Sequence, residues 1–375
     1  MKKEILGELT NISAVPEYSA KAFHEHLTLL VDSVNKKMVS RPDLESLIGQ
    51  NPVNVMFDNH RNHAVFMDNV FQLNLFSLLP DIVPWVYRAY RNHGFSFDYF
   101  PVHLAAWEET LREFFDQKIR DPLLQIYEWM LSRHSDFIAM AEEVPYLTDA
   151  SNLSENQDRD KFLQALIQGD RKTALQMSQE RTKAPQDLKI FYQQILQPVM
   201  YRIGDMWEQG NLSVSREHLA SALANMAVSN QYIQLLSDSE FRKGKVLVTA
   251  APNEFHVLGG QMIANCLEAE GWDVNYLGAD TPLADLVDYV SEQQPDIVGL
   301  SVTMTFNLVS AKDIVEGIKK QFQHSPPRIM FGGLVFAKHP ELVSLLGGDG
   351  YAENCTQAIE LAQKWSMLDA HDRDR

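Results

Sequence analysis

The chain has 375 residues, enough for two or three domains with separate cores, and its hydrophobic (45%) and charged (22%) fractions are ordinary for a globular protein. The formal net charge of -17 at pH 7 argues against direct binding of nucleic acid, because that affinity comes largely from neutralising phosphates. There is no apolar run of about 18 residues and no signal-peptide core, so we expect a cytoplasmic protein that does not enter membranes. Cys266 and Cys355 lack metal-ligand spacing, which is typical of reduced structural thiols.

Residues 1–150 are predicted to form an all-α sensor or interaction domain. Apolar residues recur at three- and four-residue spacings, and aromatic residues cluster between Trp85 and Phe115, which indicates a large core or a groove for a flat ligand. In helix count and aromatic content this segment resembles the globin-like sensor domains of bacterial signalling proteins. The resemblance makes haem a possible ligand here. Five histidines are candidate haem ligands, with surface or hydrogen-bonded histidines as the alternative: His60, His63, His93, His103 and His134.

Residues 155–240 are predicted to form a four-helix bundle. A polar stretch without periodicity, residues 150–160, indicates a linker before it. Short breaks such as Gly169-Asp170 and Gly210-Asn211 separate helical segments that we place at 159–168, 171–180, 185–209 and 213–238. Antiparallel helices with such short connections form bundles.

Residues 243–367 are predicted to form an α/β domain with a parallel, flavodoxin-like (Rossmann-like) sheet. Five apolar runs indicate strands at 245–250, 274–277, 297–302, 328–331 and 348–351, and helical patterns lie between them. The last residues, 368–375, are charged, and we expect a disordered tail.

A short motif follows the first predicted strand, where open α/β folds bind ligands. It reads Glu-x-His-x-x-Gly and is followed by Ser-x-Thr at the end of the third strand and by Gly-Gly after the fourth. Its residues are Glu254, His256, Gly259, Ser301, Thr303, Gly332 and Gly333. The alternative is a plain flavodoxin-like domain with an incidental histidine.

This order of motifs resembles the cobalamin-binding domains of the methionine synthase type. The resemblance implies that His256 is the lower cobalt ligand and that Ser301 and the paired glycines line a slot for the cofactor's nucleotide tail. Glycines let backbone approach a bulky group, and cobalt accepts a neutral imidazole nitrogen. Two positions depart from the family pattern, since Glu254 stands where aspartate is usual and Thr303 where leucine is usual.

The end of the predicted bundle carries a second set of residues, Trp207, Val214, Glu217 and His218. Taken singly, a tryptophan near a helix end is usually core, and a Glu-His pair is usually solvated. The run 206–221 resembles the helical cap of the light-sensing adenosylcobalamin repressors, the CarH group. The resemblance implies that Trp207, Val214 and Glu217 surround the upper axial group and that His218 becomes an upper cobalt ligand after photolysis.

The resemblance covers residues of about 155–365 and implies an adenosylcobalamin-dependent photoreceptor. Light would break the cobalt–carbon bond, give bis-histidine ligation and alter protein–protein interaction. The CarH-type DNA-binding domain is absent, so we expect action through a regulatory protein partner or light-dependent self-association, as in antirepressors of the AerR type. We assign no catalytic residue and expect no enzyme activity. The alternatives are a corrinoid carrier of a methyltransferase system, with residues 1–150 as a docking module, and a haem-binding sensor.

Overall fold

The computed structural model describes residues 2–143, 156–235, 243–322 and 325–373, with the backbone alone described at residues 234 and 369–373. The chain divides into two compact units. The first comprises Met1–Tyr146 with Met206–Asn211, and the second comprises Leu147–Asp205 with Leu212–Arg375. Among the described residues, no helix combines the length and the apolar character that a membrane span requires.

The described part of the first unit is helical, as the sequence predicts. Its α-helices are α1 Lys2–Leu9, α2 Glu17–Val39, α3 Leu44–Ile48, α4 Val53–Leu73, α5 Leu79–Asn92, α6 Tyr99–Phe114, α7 Gln117–Ser132 and α8 His134–Glu143, with a 3₁₀ turn at Phe76–Leu78. Helix α2 is representative, because Phe23, Leu30, Val34 and Met38 recur at helical spacing and are buried.

The aromatic residues of this unit pack against one another and form its core. Phe23 meets Phe71 edge to face at 5.0 Å between ring centroids, and Tyr87 stacks on Phe100 at 3.6 Å. Trp107 is fully buried. Of the two sequence-based alternatives for the aromatic cluster, these contacts favour a core.

Most of the candidate haem ligands have partners inside the unit. The Nδ1 atom of His60 lies 2.6 Å from Asn35 Oδ1, and Trp107 Nε1 donates to His103 Nε2 at 2.8 Å. Burial lowers the pKa of His60 and His63 to about 3, so both imidazoles are neutral. His63 and His134 lie within hydrogen-bonding distance of tyrosine hydroxyls. These contacts favour hydrogen-bonded core histidines, and the described residues contain no three-residue group of His, Cys, Asp or Glu arranged to hold a metal ion.

The second unit begins with the helices of the predicted bundle. They are α9 Gln157–Gln168, α10 Arg171–Arg181, α11 Asp187–Phe191, a π-helical turn at Tyr192–Leu196, α12 Gln197–Glu208 and α13 Val214–Leu235. Gly169 ends α9 in a left-handed conformation, and the Asp170 side chain caps α10 by accepting from Thr173 N. The third predicted helix is thus interrupted by a π turn, and the end of α12 belongs to the first unit. The predicted linker lies outside the described residues up to position 155.

The rest of the second unit is a five-stranded parallel sheet flanked by helices, which confirms the predicted α/β fold. The strands are β1 Lys245–Ala250, β2 Asp273–Gly278, β3 Ile297–Ser301, β4 Arg328–Gly332 and β5 Gly350–Tyr351. The helices are α14 Leu258–Ala269, α15 Leu283–Gln293, α16 Leu308–Gln321, α17 Leu334–Lys338, α18 Leu342–Leu345 and α19 Cys355–Arg373, with a 3₁₀ turn at Thr305–Asn307.

The strand order is β2-β1-β3-β4-β5, and every pairing is parallel. The chain therefore runs outward in opposite directions from the β1/β3 pair, which makes a topological switch point at the carboxyl ends of those strands. Ala250 pairs with Ser301, and Ser301 pairs with Gly332. The register thus aligns the ends of β1, β3 and β4. Ser301 and Gly332 end β3 and β4, and the Glu-x-His motif follows β1.

The last helix of the chain extends into the segment that we predicted as a disordered tail, residues 368–375. Helix α19 begins at Cys355 and continues to Arg373, and its sequence contains neither glycine nor proline. Charge alone does not end a helix that has no breaker, because charged residues are good helix formers. Residues 374 and 375 lie outside the described part of the chain.

Candidate functional site

The candidate site lies at the carboxyl edge of the sheet, where the loop after β1 meets the ends of β3 and β4. His256 is in the β1–α14 loop, and Gly259 is in the first turn of α14. Ser301 ends β3, and Gly332 ends β4. The structure therefore collects these predicted residues at the switch point of the sheet.

A buried carboxylate joins two of these loops. Glu254 is fully buried, and its Oε1 lies 2.6 Å from His256 Nδ1. Its Oε2 accepts hydrogen bonds from the backbone nitrogens of Thr303 (2.8 Å) and Met304 (2.9 Å) and from Asn307 Nδ2 (3.1 Å). One carboxylate oxygen thus contacts the histidine, and the other accepts hydrogen bonds from the loop after β3. The extra methylene of glutamate does not prevent the contact with the histidine.

Hydrogen bonding sets the charge of this pair. Burial by itself would raise the pKa of Glu254, but the bond to His256, its charge and the two backbone donors outweigh burial and lower that pKa to about 2. The bond to Glu254 raises the pKa of His256. Because an ionised carboxylate only accepts, His256 Nδ1 carries a proton in this bond, and Nε2 is the nitrogen left to bind a metal. The His256 side chain is 61% exposed, so a ligand can reach it.

The loop that carries His256 is also held from the side of β2. Tyr276 donates from its hydroxyl to the carbonyl oxygen of Val257 at 2.6 Å, and Asn253 N donates to Asp280 Oδ1 at 3.0 Å. The loop is therefore fixed on both sides before any ligand binds. Sequence analysis missed these anchoring residues, because nothing in helical or strand periodicity marks a hydrogen bond between distant loops.

The two paired glycines differ in backbone conformation and in the space around them. Gly333 has a φ of 106°, and an added Cβ would lie 2.0 Å from the carbonyl oxygen of Val302, so only glycine fits. At Gly332 an added Cβ would meet only Ala352 O, at 3.6 Å, and at Gly259 it would meet nothing within 4 Å. Gly332 and Gly259 therefore border free space. Thr303 contributes its backbone nitrogen, so the contact with Glu254 does not depend on its side chain.

The predicted cap residues are divided between the two units. Val214 and His218 lie at the start of α13 and are exposed, the His218 side chain by 74%. Glu217 accepts from Ser221 Oγ at 2.7 Å, and its charge contributes to raising the pKa of His256. The second unit therefore places the Glu217 carboxylate within electrostatic range of His256. Trp207 belongs to the first unit, where it packs on the ring of His93.

Residues 244–360 match the family model of the B12 binding domain, and residues 158–230 match a second model of a B12 binding domain. Both matches support a cobalamin-binding protein. The features described above fit that cofactor, because the site offers one imidazole with a free Nε2, a carboxylate that fixes its other nitrogen, and glycines that border open space.

Sequence comparison finds relatives that are named as corrinoid proteins. Over 165 residues the chain is 25% identical to dimethylamine corrinoid protein 3 of Methanosarcina acetivorans, which covers 44% of this chain and 76% of the relative. Over 213 residues it is 27% identical to a corrinoid protein of Desulfitobacterium hafniense, covering 55% of this chain and 95% of the relative. The structure of the Methanosarcina barkeri monomethylamine corrinoid protein aligns with a TM-score of 0.49 at 18% identity, covering 56% of this chain and 98% of that one. The names of the two sequence relatives give no support to light sensing or to the adenosyl form of the cofactor.

Replacing Glu254 should loosen the site even without cofactor. In Glu254→Gln the amide group would face the donors of Thr303 and Met304 or of His256, so at least one buried donor loses its acceptor, at a cost of about 1–3 kcal/mol. Urea unfolding of the apo protein should show that loss. The cobalamin-loaded variant should also show a weaker His-on absorption spectrum. Glu316→Gln, on the exposed face of α16, is the control. Equal stability and equal spectra in the two variants would contradict the role given to Glu254.

Substitution by alanine should have different effects at Gly333 and at Gly332. Gly333→Ala should yield little folded protein, because its methyl group collides with the Val302 carbonyl. Gly332→Ala should fold but bind cobalamin more weakly, because its methyl group occupies free space. Soluble yield, circular dichroism and cobalamin titration separate the two effects, with Gly7→Ala in α1 as control. Normal folding of Gly333→Ala, or wild-type affinity of Gly332→Ala, would show that the corresponding glycine has another role.

Proposed function

We propose that this protein carries a corrinoid cofactor within a methyltransferase system and is not itself the catalyst. The observation that carries the proposal is the Glu254–His256 pair, which presents one imidazole nitrogen at the edge of a sheet whose residues match a B12 binding domain. Support for the methyltransferase setting comes from relatives named as dimethylamine corrinoid proteins.

Each residue of the site has a role in this proposal. His256 Nε2 would bind cobalt, and Glu254 would hold the imidazole in the tautomer and orientation that this requires. Ser301, Gly332 and Gly333 would receive the nucleotide tail, and Gly259 would leave room at the start of α14. When bound, the cofactor would supply the methyl-carrying chemistry of its cobalt.

A carrier must let other proteins reach the upper axial position. The exposed side chains of Val214 and His218 at the start of α13 agree with an accessible upper face. We propose a methyltransferase protein as the partner. The helical first unit serves as a docking module for this partner. Methyl transfer requires the partner to bind the carrier directly.

The light-sensor hypothesis stays the second candidate because of one observation. Glu217 precedes His218 at the start of α13, and its charge acts on His256. In that hypothesis Trp207, Val214 and Glu217 would surround an adenosyl group, and His218 would become a cobalt ligand after illumination. The same assignment predicts strong selection for the adenosyl form, because a covered face selects its axial group by shape.

Cofactor choice and the response to light distinguish the two functions. Apo protein is titrated in the dark with methylcobalamin and with adenosylcobalamin, and the mass of each complex is measured by light scattering before and after green light. A carrier binds the methyl form at least as tightly as the adenosyl form and keeps its mass after illumination. A preference for adenosylcobalamin of about tenfold or more, equal to about 1.4 kcal/mol, together with a light-dependent change in mass, would favour the photoreceptor. The hydroxocobalamin complex, which has no cobalt–carbon bond to break, is the illumination control.

A further inference from the structure

The second unit contains a cleft of about 260 Å³ between α13, α14 and β2. Helix α14 lines it with one face, because Gln261, Ala264, Asn265 and Glu268 follow one another at helical spacings. Holding one water molecule takes roughly 10–15 Å³ of such space, so the cleft has room for a small organic molecule.

A buried carboxylate lies in this cleft. Glu268 is 5% exposed, and its Oε1 accepts a hydrogen bond from the Tyr232 hydroxyl at 3.1 Å. It forms no ion pair with a lysine, arginine or histidine among the described residues. Burial, and after it the charge of Asp273, raise the pKa of Glu268. One hydrogen bond therefore offsets the burial of this charge only in part.

The tyrosine hydroxyls of the cleft have no donor left for a ligand. That of Tyr232 donates to the carboxylate, and that of Tyr276 donates to the carbonyl oxygen of Val257 at 2.6 Å. Asn265 donates from Nδ2 to the Tyr192 hydroxyl at 3.0 Å, and its carbonyl oxygen remains as an acceptor. The cleft therefore offers negative charge and acceptors, which suit a ligand that brings positive charge and N–H donors.

The cleft also has an apolar side. Ala264 and Val274 line it, and so do the rings of Tyr232 and Tyr276, whose faces attract cations. Tyr232 is 38% exposed, so the cleft reaches solvent. The Gln261 amide can donate or accept and is compatible with either kind of ligand group. Apolar contacts beside a carboxylate match a cationic head that carries a short alkyl group.

We propose that this cleft binds a small primary or secondary alkylammonium ion, with its N–H groups on Glu268 and Asn265. Tyr276 connects the cleft to the loop that carries His256, because its ring lines the cleft and its hydroxyl holds Val257. Occupancy of the cleft therefore stabilises the arrangement in which this loop presents His256. Binding of the cation is independent of the proposed function, whereas its effect on cobalamin rests on that function.

The first experiment uses full-length apo protein labelled with 3-fluorotyrosine. The resonances of Tyr232 and Tyr276 are assigned by their loss in Tyr232→Phe and Tyr276→Phe. Ethylammonium is titrated at constant ionic strength, and we expect saturable shifts of both resonances. Tetramethylammonium has the same charge but no N–H group, so it should bind at least about tenfold more weakly. Equal binding of the two cations would overturn the assigned ligand class.

The carboxylate is tested in the same titration. Glu268→Gln keeps the shape of the side chain and an acceptor for Tyr232 but removes the charge, so it should weaken ethylammonium binding by about tenfold or more. Glu316→Gln, on the exposed face of α16, is the control and should bind like wild type. If Glu268→Gln does not fold, Glu268→Asp replaces it, because that change withdraws the carboxylate by one methylene and keeps its charge. The absence of saturable shifts in wild type, or equal affinity in the Glu268 variant and the control, would overturn the site.

The second experiment measures the affinity for hydroxocobalamin with and without saturating ethylammonium. We expect ethylammonium to tighten cobalamin binding by about fivefold or more in wild type. Tyr276→Phe keeps the ring and loses the bond to Val257, so its cobalamin affinity should not respond. An unchanged affinity in wild type would overturn the coupling to the loop of His256. If wild type bound no hydroxocobalamin at all, the proposed function would fail, and the titration of the apo protein would still decide whether the cleft binds ammonium ions.

Discussion

The organisation of the site depends on one buried carboxylate. Placing a charge in a protein interior is unfavourable unless donors surround it, and Glu254 has donors on both oxygens. The bonds that offset its burial also define its function. Oxygen Oε2 closes the loop after β3, and Oε1 holds the imidazole that follows β1. The position of His256 is therefore part of the folded state of the apo domain and does not depend on cofactor binding.

The fold could be predicted because its signals are local. Short apolar runs mark the buried strands, and the strand order then brings the ends of β1, β3 and β4 together at one edge. The motif residues that follow those strands could likewise be placed at one site. The predicted helices of the first unit and of the bundle depend on the same kind of signal, the spacing of apolar residues along a single helix.

The contacts that shape the site could not be predicted in this way. The bonds from Glu254 to Met304 and Asn307 join residues 50 and 53 positions apart, and no periodicity encodes such a pairing. The assignment of Trp207 to the first unit was missed for a similar reason. Its motif was interpreted within the bundle, while the partner of the neighbouring Glu208 is Arg88, 120 residues earlier.

Carrier and light sensor share the lower half of this site and differ in the upper half. His256, its carboxylate and the glycines serve either function, so similarity in those residues cannot separate the two. The two functions differ in whether the upper axial position is accessible to a partner protein or covered by side chains.

The central claim is that the His256 imidazole is the lower axial ligand of bound cobalamin. Electron paramagnetic resonance of the Co(II) form tests this claim directly, because the axial nitrogen splits the cobalt lines. Protein labelled with ¹⁵N-histidine should give two-line splitting from a ¹⁵N nucleus, where unlabelled protein gives three lines from ¹⁴N. His256→Ala should lose the two-line pattern. Three-line splitting in the labelled protein would mean that the cofactor keeps its own base at cobalt, and the assignment of His256 would be wrong.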